Sequence, residues 1–228
     1  GCARLAPFGT TGAALSVGID ERIEAIDALI NGGVDPALMI PGTGLSNVAD
    51  TARLSRACLD RGCAAVMTLP PFYYKGVSED GIYRHFAELI AKVGDDVRIF
   101  LYHIPPIAVV GIPPVLAARL HADFPEQVVG IKDSSGDWNN TRELFAIEGL
   151  IVYPGSELPL IDALEAHGSD EQKEAYLPRL VSGEWAGTMC LTEAQAGSDV
   201  GASKAKAVKQ DDGTYKISGE KIFITGGD

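Results

Sequence analysis

The sequence predicts an α/β fold: a partial (β/α)8 barrel of the TIM type with about six βα units, followed by a short helix and a small antiparallel β segment. Three observations predict it. Short apolar runs recur roughly every 30 residues, the repeat of a βα unit. Amphipathic stretches lie between them, and after Gly183 the runs become short and closely spaced, with a hairpin signal between two of them.

The first run, Ala3 to Phe8, leads into Gly9-Thr10-Thr11-Gly12, a turn rich in residues that tolerate positive φ. Ile19, Ile23, Ile26 and Ile30 share one face of a helix over Ile19 to Ile30. Leu38 to Ile40 is the second strand, ahead of Gly42-Thr43-Gly44. Ala64 to Leu69 is the third, followed by Pro70-Pro71-Phe72-Tyr73-Tyr74-Lys75. Phe86, Leu89, Ile90 and Val93 place a helix over Ile82 to Val93. Arg98 to His103, Val128 to Lys132 and Leu150 to Tyr153 complete the series, the last two running into Asp133-Ser134-Ser135 and Gly155-Ser156-Glu157. Each run reads as a buried parallel strand, and in such a sheet every post-strand loop gathers at one face, where chemistry sits. Ser169 to Leu180 predicts a helix, with Ser169 as N-cap and Asp170 and Glu171 at its positive end. Trp185 to Thr192, Ala205 to Gln210, Thr214 to Ser218 and Lys221 to Thr225 read as strands, with Asp211-Asp212-Gly213 as a hairpin turn. Such material cannot supply further parallel units, which need crossover helices.

Composition narrows the function. The 228 residues are 46% hydrophobic and 22% charged, as in a globular protein, and the net charge of -12 argues against nucleic acid as a partner. No apolar run reaches roughly 18 residues and no basic leader precedes the first strand, so no membrane partner and a cytoplasmic location are expected. Cys2, Cys58, Cys63 and Cys190 lack zinc-type spacing and the histidines stand singly, so no metal site is predicted. Up to His167 the chain holds nine Arg and three Lys, and after it one Arg and six Lys. That swing places a boundary at about Ala166 to Gly168, dividing the chain into residues 1–167 and 168–228 with different histories. Opening on Gly1 rather than methionine, directly into an apolar run, is what a fragment would do.

Lys132 ends the run Val128-Val129-Gly130-Ile131, where partial desolvation favours the neutral amine that attacks carbonyls. Tyr102 ends the preceding strand and can shuttle the protons of carbinolamine formation and dehydration. Thr10 and Thr11 can hold a carboxylate through hydroxyl and backbone donors. Together they sketch a Schiff-base lyase that needs no added cofactor. Plainer readings stand beside this one: a snorkelling lysine, packing roles for Tyr102, Tyr73 and Tyr74, and a simple βα turn at Gly9 to Gly12. His103 reads as a hydrogen-bonded structural residue.

The motifs Phe8-Gly9-Thr10-Thr11-Gly12, Pro71-Phe72-Tyr73, Leu101-Tyr102-His103-Ile104-Pro105 and Gly130-Ile131-Lys132-Asp133, in this order, resemble the dihydrodipicolinate synthase / N-acetylneuraminate lyase family. The resemblance implies a class I aldolase-type barrel in which Lys132 forms an imine with pyruvate or another 2-oxo acid. It further implies Tyr102 as proton relay and Thr10 and Thr11 beside the oxo acid. Tyr73 would be lent across a homo-oligomer interface to a neighbouring active site. Ala13 stands where the family usually has Glu, and Ile107, Ala108 and Val109 occupy the place of the arginine of dihydrodipicolinate synthases. By the same resemblance, one βα unit would precede Gly1 and two barrel strands would follow Ala166. An incomplete barrel of this kind is expected to be impaired or inactive.

Met189 to Gly201 resembles the flavin-contacting signature of the acyl-CoA dehydrogenase family, with Ala194 in place of the usual proline after Thr-Glu. Gly168 to Lys173 with Tyr176-Leu177-Pro178 resembles the end of that family's helical domain, and Lys221 to Thr225 its strand facing the isoalloxazine ring. This resemblance implies FAD, with Leu191, Thr192, Phe223 and Thr225 at the flavin ring and Ser198 near the acyl-CoA pocket or the cofactor's phosphates. The family's catalytic base comes from a helical domain beyond these residues, so oxidation is not expected. Three functions follow: a Schiff-base lyase, a flavin-linked oxidoreductase fragment, or a non-catalytic hybrid of the two. For the chain by itself the third is the expectation.

Overall fold

The computed structural model describes residues 4–155, 160–185, 203–212 and 214–221. Four strands, β1 (Val66–Thr68), β2 (Ile99–His103), β3 (Val128–Asp133) and β4 (Ile151–Pro154), form a parallel sheet in sequential order. The two expected strands nearest the start are shorter than their apolar runs suggest. They appear as isolated parallel bridges, Leu5 to Met39 and Gly42 to Met67. Their backbones still continue the ladder: Ile40 N–H donates to Leu5 O at 2.7 Å, Ala64 N–H to Met39 O at 3.1 Å, and Met67 N–H to Pro41 O at 2.8 Å. Pro7, Pro36 and Pro41 have no N–H to donate, which breaks these segments before a regular ladder develops.

Helices α1 (Ile19–Asn31), α2 (Val48–Asp60), α3 (Glu79–Val93), α4 (Pro105–Ala108), α5 (Pro114–Asp123), α6 (Trp138–Phe145) and α7 (Leu160–His167) alternate with the sheet segments. Their starts are built locally. Asn47 accepts from Asp50 N–H at 2.8 Å, Ser78 from Gly81 N–H at 3.2 Å and Asp137 from Asn139 N–H at 2.9 Å, each quieting a donor that a helix leaves orphaned.

Strand alternation divides the apolar residues into two layers. Ile99 and Leu101 of β2, with Val66, Val128 and Ile131, pack with Ile26, Leu54, Phe86, Leu89 and Leu120 of the helices. Phe100 and Tyr102 point the other way and join Ile40, Ala65, Met67, Ile104 and Ala108. β2 is buried throughout, whereas β4 leaves Ile151 47% and Tyr153 43% exposed at the sheet edge.

Helix α8 (Asp170–Val181) starts where expected: Ser169 accepts from Gln172 N–H at 3.2 Å, and Gln172 accepts in return from Ser169 N–H at 3.0 Å. Beyond it, β5 (Lys206–Lys209) and β6 (Tyr215–Ser218) pair antiparallel, Lys209 opposite Tyr215, as the hairpin signal predicts. Of the other two expected strands, Trp185 itself lies on no strand; it faces Tyr176 at 6.1 Å and Arg179 at 4.4 Å. Their remaining residues, apart from Lys221, lie outside the described residues. Among the described residues no helix is long and apolar enough to cross a membrane.

Candidate functional site

Parallel register sets Lys132 on β3 between Tyr102 on β2 and Tyr153 on β4. Paired residues of neighbouring strands project to the same side of a sheet, so all three lie on the layer opposite the helices. The Lys132 ammonium stands 4.9 Å from the centre of the Tyr102 ring, a cation–π approach, and Phe100 stacks on Tyr153 at 5.3 Å. Tyr102 is 4% exposed, and its hydroxyl is hydrogen-bonded to Thr10 Oγ1 at 3.0 Å. Residues 10, 102 and 132, remote in sequence, thus form one contiguous chain from hydroxyl to phenol to amine.

Two cavities flank this chain. The larger, about 330 Å³, is lined by half-buried Lys132 with Met67, Phe100, Tyr153 and Arg4. The smaller, about 150 Å³, takes in Thr10 and an apolar wall that includes Phe72 and Ile104. Met67 borders both.

The loop carrying Thr10 is held from beneath. Arg22 of α1, 1% exposed, donates to Val17 O at 3.1 Å, to Gly42 O at 3.5 Å and to Ala14 O. Burial pulls its guanidinium below the ordinary value, with Cys58 acting in the opposite sense. Gly42 is required where it stands: a Cβ there would meet Phe8 O at 1.9 Å. Phe8, Ala13 and Val109, the non-glycine residues with positive φ among those described, are strung around the same region at 61°, 50° and 64°. Strained backbone of this kind concentrates at functional sites.

Asp133, next to Lys132, is 3% exposed and accepts from Thr141 Oγ1 at 2.6 Å, Ser135 N–H at 2.9 Å and Asn140 Nδ2 at 3.0 Å. Burial alone would raise this carboxyl. The three hydrogen bonds outweigh burial and hold it below the usual carboxylate range, so a fixed anion clamps β3 to α6. His103 accepts from Ile112 N–H at 2.8 Å through Nδ1, the structural role expected of it. Burial lowers its imidazole, partly offset by Asp133.

Of the residues singled out from sequence, Lys132, Tyr102 and Thr10 are brought together. Thr11 is exposed on the same loop. Tyr73 is 74% exposed and packs edge-on against Tyr74 at 5.3 Å, with no hydrogen bond to Tyr102 or Thr10. Leu191, Thr192, Ser198, Phe223 and Thr225 lie outside the described residues. Arg22 went unnoticed in the sequence; its available signal was the i, i+4 spacing to core residue Ile26. Among the described residues there is no group of three metal-ligating side chains.

A parallel α/β barrel segment with a lysine, a tyrosine and a threonine meeting at the loop ends of its strands defines an aldolase-type lyase scaffold. The chain belongs to the dihydrodipicolinate synthetase family, whose model matches residues 1–170. It is 33% identical over 202 residues to an uncharacterised DapA-like lyase of Chloroflexus aurantiacus, covering 87% of this chain and 65% of that one. To a 4-hydroxy-tetrahydrodipicolinate synthase of Thermus thermophilus it is 34% identical over 179 residues, covering 76% and 58%. The crystal structure of dihydrodipicolinate synthase from Agrobacterium tumefaciens superposes with a TM-score of 0.70 at 35% identity, over 74% of this chain and 59% of that one. A 2-keto 3-deoxygluconate aldolase from Picrophilus torridus gives 0.66 at 26% identity, over 74% and 60%. The chain therefore spans 58% to 65% of the length of these curated relatives. Residues 188–228 match a second model, the acyl-CoA dehydrogenase middle domain. Correspondingly, 68 residues are 62% identical to a 3-methylmercaptopropionyl-CoA dehydrogenase of Ruegeria pomeroyi, over 30% of this chain and 12% of that one.

Proposed function

We propose that residues 1–167 carry a Schiff-base lyase site for pyruvate or another small 2-oxo acid, with Lys132 as nucleophile. The observation that carries this reading is the approach of the Lys132 amine to Tyr102, whose hydroxyl is already bonded to Thr10. The amine attacks the keto carbon, its C–N bond forms, and the carbonyl oxygen collects two protons and leaves as water. Tyr102 supplies and recovers protons during these steps, with Thr10 as the next hydroxyl in line. Thr10 and Thr11 face the oxo acid's carboxylate. Tyr73, exposed on its loop, serves a neighbouring protomer in a homo-oligomer, and the protein works in the cytoplasm. The decisive test is intact mass after incubation with pyruvate and borohydride, which freezes the imine as a stable amine. One adduct mapping to Lys132 and absent from Lys132→Ala supports the site. No adduct from soluble wild-type protein with pyruvate or with any of a panel of small 2-oxo acids rejects it.

The match over residues 188–228 favours a second reading, that residues 168–228 are a piece of a flavoprotein fold. FAD is suggested there by sequence likeness alone. Purified protein showing flavin absorbance would support it. If neither adduct nor flavin is found, the chain is a non-catalytic hybrid of two families.

A further inference from the structure

Two thiols meet where α2 hands over to the sheet. Cys58 lies in the last turn of α2, and Cys63 opens the segment that leads into β1. Cys63 N–H donates to Cys58 O at 3.2 Å, so the backbone already closes on itself between them. Their side chains are hydrogen-bonded to one another, thiol to thiol. Neither belongs to a disulfide, and they are buried, Cys58 at 1% and Cys63 at 5% exposure. Burial of one cysteine is ordinary core packing. Two sulfurs turned toward each other across a short closed turn are also the starting geometry of a disulfide, whose Cα atoms stand roughly 4.4–6.8 Å apart.

The two thiols are not equivalent. The hydrogen bond from Cys58 holds the Cys63 thiol below its ordinary value against the opposing effect of burial, and Arg61 pulls in the same direction as that bond. Cys58 is pushed up, first by its bond to Cys63 and then by burial. Arg61 is itself fixed, donating to Asp27 Oδ1 at 2.6 Å, to Asp27 Oδ2 at 2.9 Å and to Ala57 O at 2.9 Å. In thiol oxidation the thiolate is the nucleophile, and a second thiol in contact with it resolves the product. Access runs through the turn between the two. Gly62 is exposed there at φ 85°, and among the described residues a Cβ on it would meet nothing nearer than the Pro36 side chain at 3.5 Å. Helix ends open at low cost, which admits a molecule little larger than water.

We propose that Cys58 and Cys63 form an oxidisable dithiol, a modification site at which a peroxide installs a disulfide that small thiols remove. The Cys63 thiolate attacks one peroxide oxygen, so that an S–O bond forms and the O–O bond breaks. The departing hydroxide takes the proton that Cys63 released and leaves as water. Cys63 is then a sulfenic acid. The Cys58 sulfur attacks that sulfur, the S–S bond forms, and the displaced hydroxyl takes the Cys58 proton and leaves as a second water. The two thiols together lose two electrons and two protons, and the peroxide gains both. In the reverse direction a reducing thiol opens the bridge by exchange and is itself oxidised to a disulfide.

The test is peptide mapping of the full chain after treatment with hydrogen peroxide. Trypsin cuts after Arg56, Arg61 and Lys75, so the bridge joins residues 57–61 to residues 62–75, which otherwise separate. The native protein should yield this linked pair, lost on reduction, at roughly tenfold or more the level of any link through Cys2 or Cys190. Cys58→Ser removes the resolving thiol, so dimedone should capture a sulfenic acid on Cys63. Cys63→Ser should leave Cys58 largely unlabelled. The linked pair is read on the wild type, so a variant that fails to fold does not decide the outcome. Absence of the pair from peroxide-treated native protein overturns the proposal, whatever happens at Cys2 and Cys190. So does a pair that forms only in urea, which would leave the two cysteines as core packing. A linked pair with dimedone captured on Cys58 in Cys63→Ser, and none on Cys63 in Cys58→Ser, overturns the order of attack and supports the dithiol.

Discussion

Tyr102 is the residue through which the other two communicate, since it touches both the Lys132 amine and the Thr10 hydroxyl. Tyr102→Phe keeps the ring and removes the proton path. It should slow borohydride trapping of the pyruvate imine by about 10²-fold or more while leaving the final adduct on Lys132. His85 makes a prediction of a different kind. It is 8% exposed, its Nε2 has no hydrogen-bond partner among the described residues, and burial lowers its pKa to about 4. The unfolded chain therefore takes up a proton on His85 that the folded chain refuses between pH 6.5 and about 4. Stability from this group is fully present above pH 6.5 and is lost as the pH falls through that window, by about 3 kcal/mol at the lower end. Urea denaturation at several pH values should show that slope, reduced in His85→Leu. Lys132 and Tyr102 were legible in sequence because each ends an apolar run. His85 was not, because nothing in its neighbours reveals that they surround it on every side.

Elements were legible where a local pattern decides them. The isoleucine repeat marked α1, and Ser169 with Gln172 marked the start of α8, because helices are governed by contacts three and four residues away. The first two strands were overextended: their apolar runs satisfied the pattern, but the prolines within and beside them deny the hydrogen bonds that a regular strand needs. What those segments do is bring the Thr10 loop over the sheet, and Gly42 sets how closely they approach. Gly42→Ala would force Phe8 O aside, since the added carbon would begin 1.9 Å from it. A destabilisation of about 1–3 kcal/mol should follow in thermal unfolding. Imine trapping should weaken as well, because the displaced backbone carries Thr10.

At the scale of the molecule, cohesion is uneven. All residues of β2 are buried, whereas every residue of β5 and β6 is exposed. Backbone hydrogen bonds with no apolar cover open at little cost, so amide exchange in β5 and β6 should run orders of magnitude faster than in β2 and β3 under native conditions. Mass-spectrometric hydrogen exchange measures this directly. Equal protection in the two sheets would mean that the hairpin is covered after all. The division near Gly168 was visible in the sequence because lysine usage, proline usage and the spacing of apolar runs all change there. By itself the sequence determined helices α1, α3 and α8, the order of the sheet segments and the identity of the candidate lysine, since each depends on spacing along the chain. Only the tertiary structure decided that residues 10, 102 and 132 touch, that Arg22 and Asp133 brace them, and that a largely apolar cavity lies alongside. Those facts follow from parallel register and burial, which join residues that the chain itself keeps far apart.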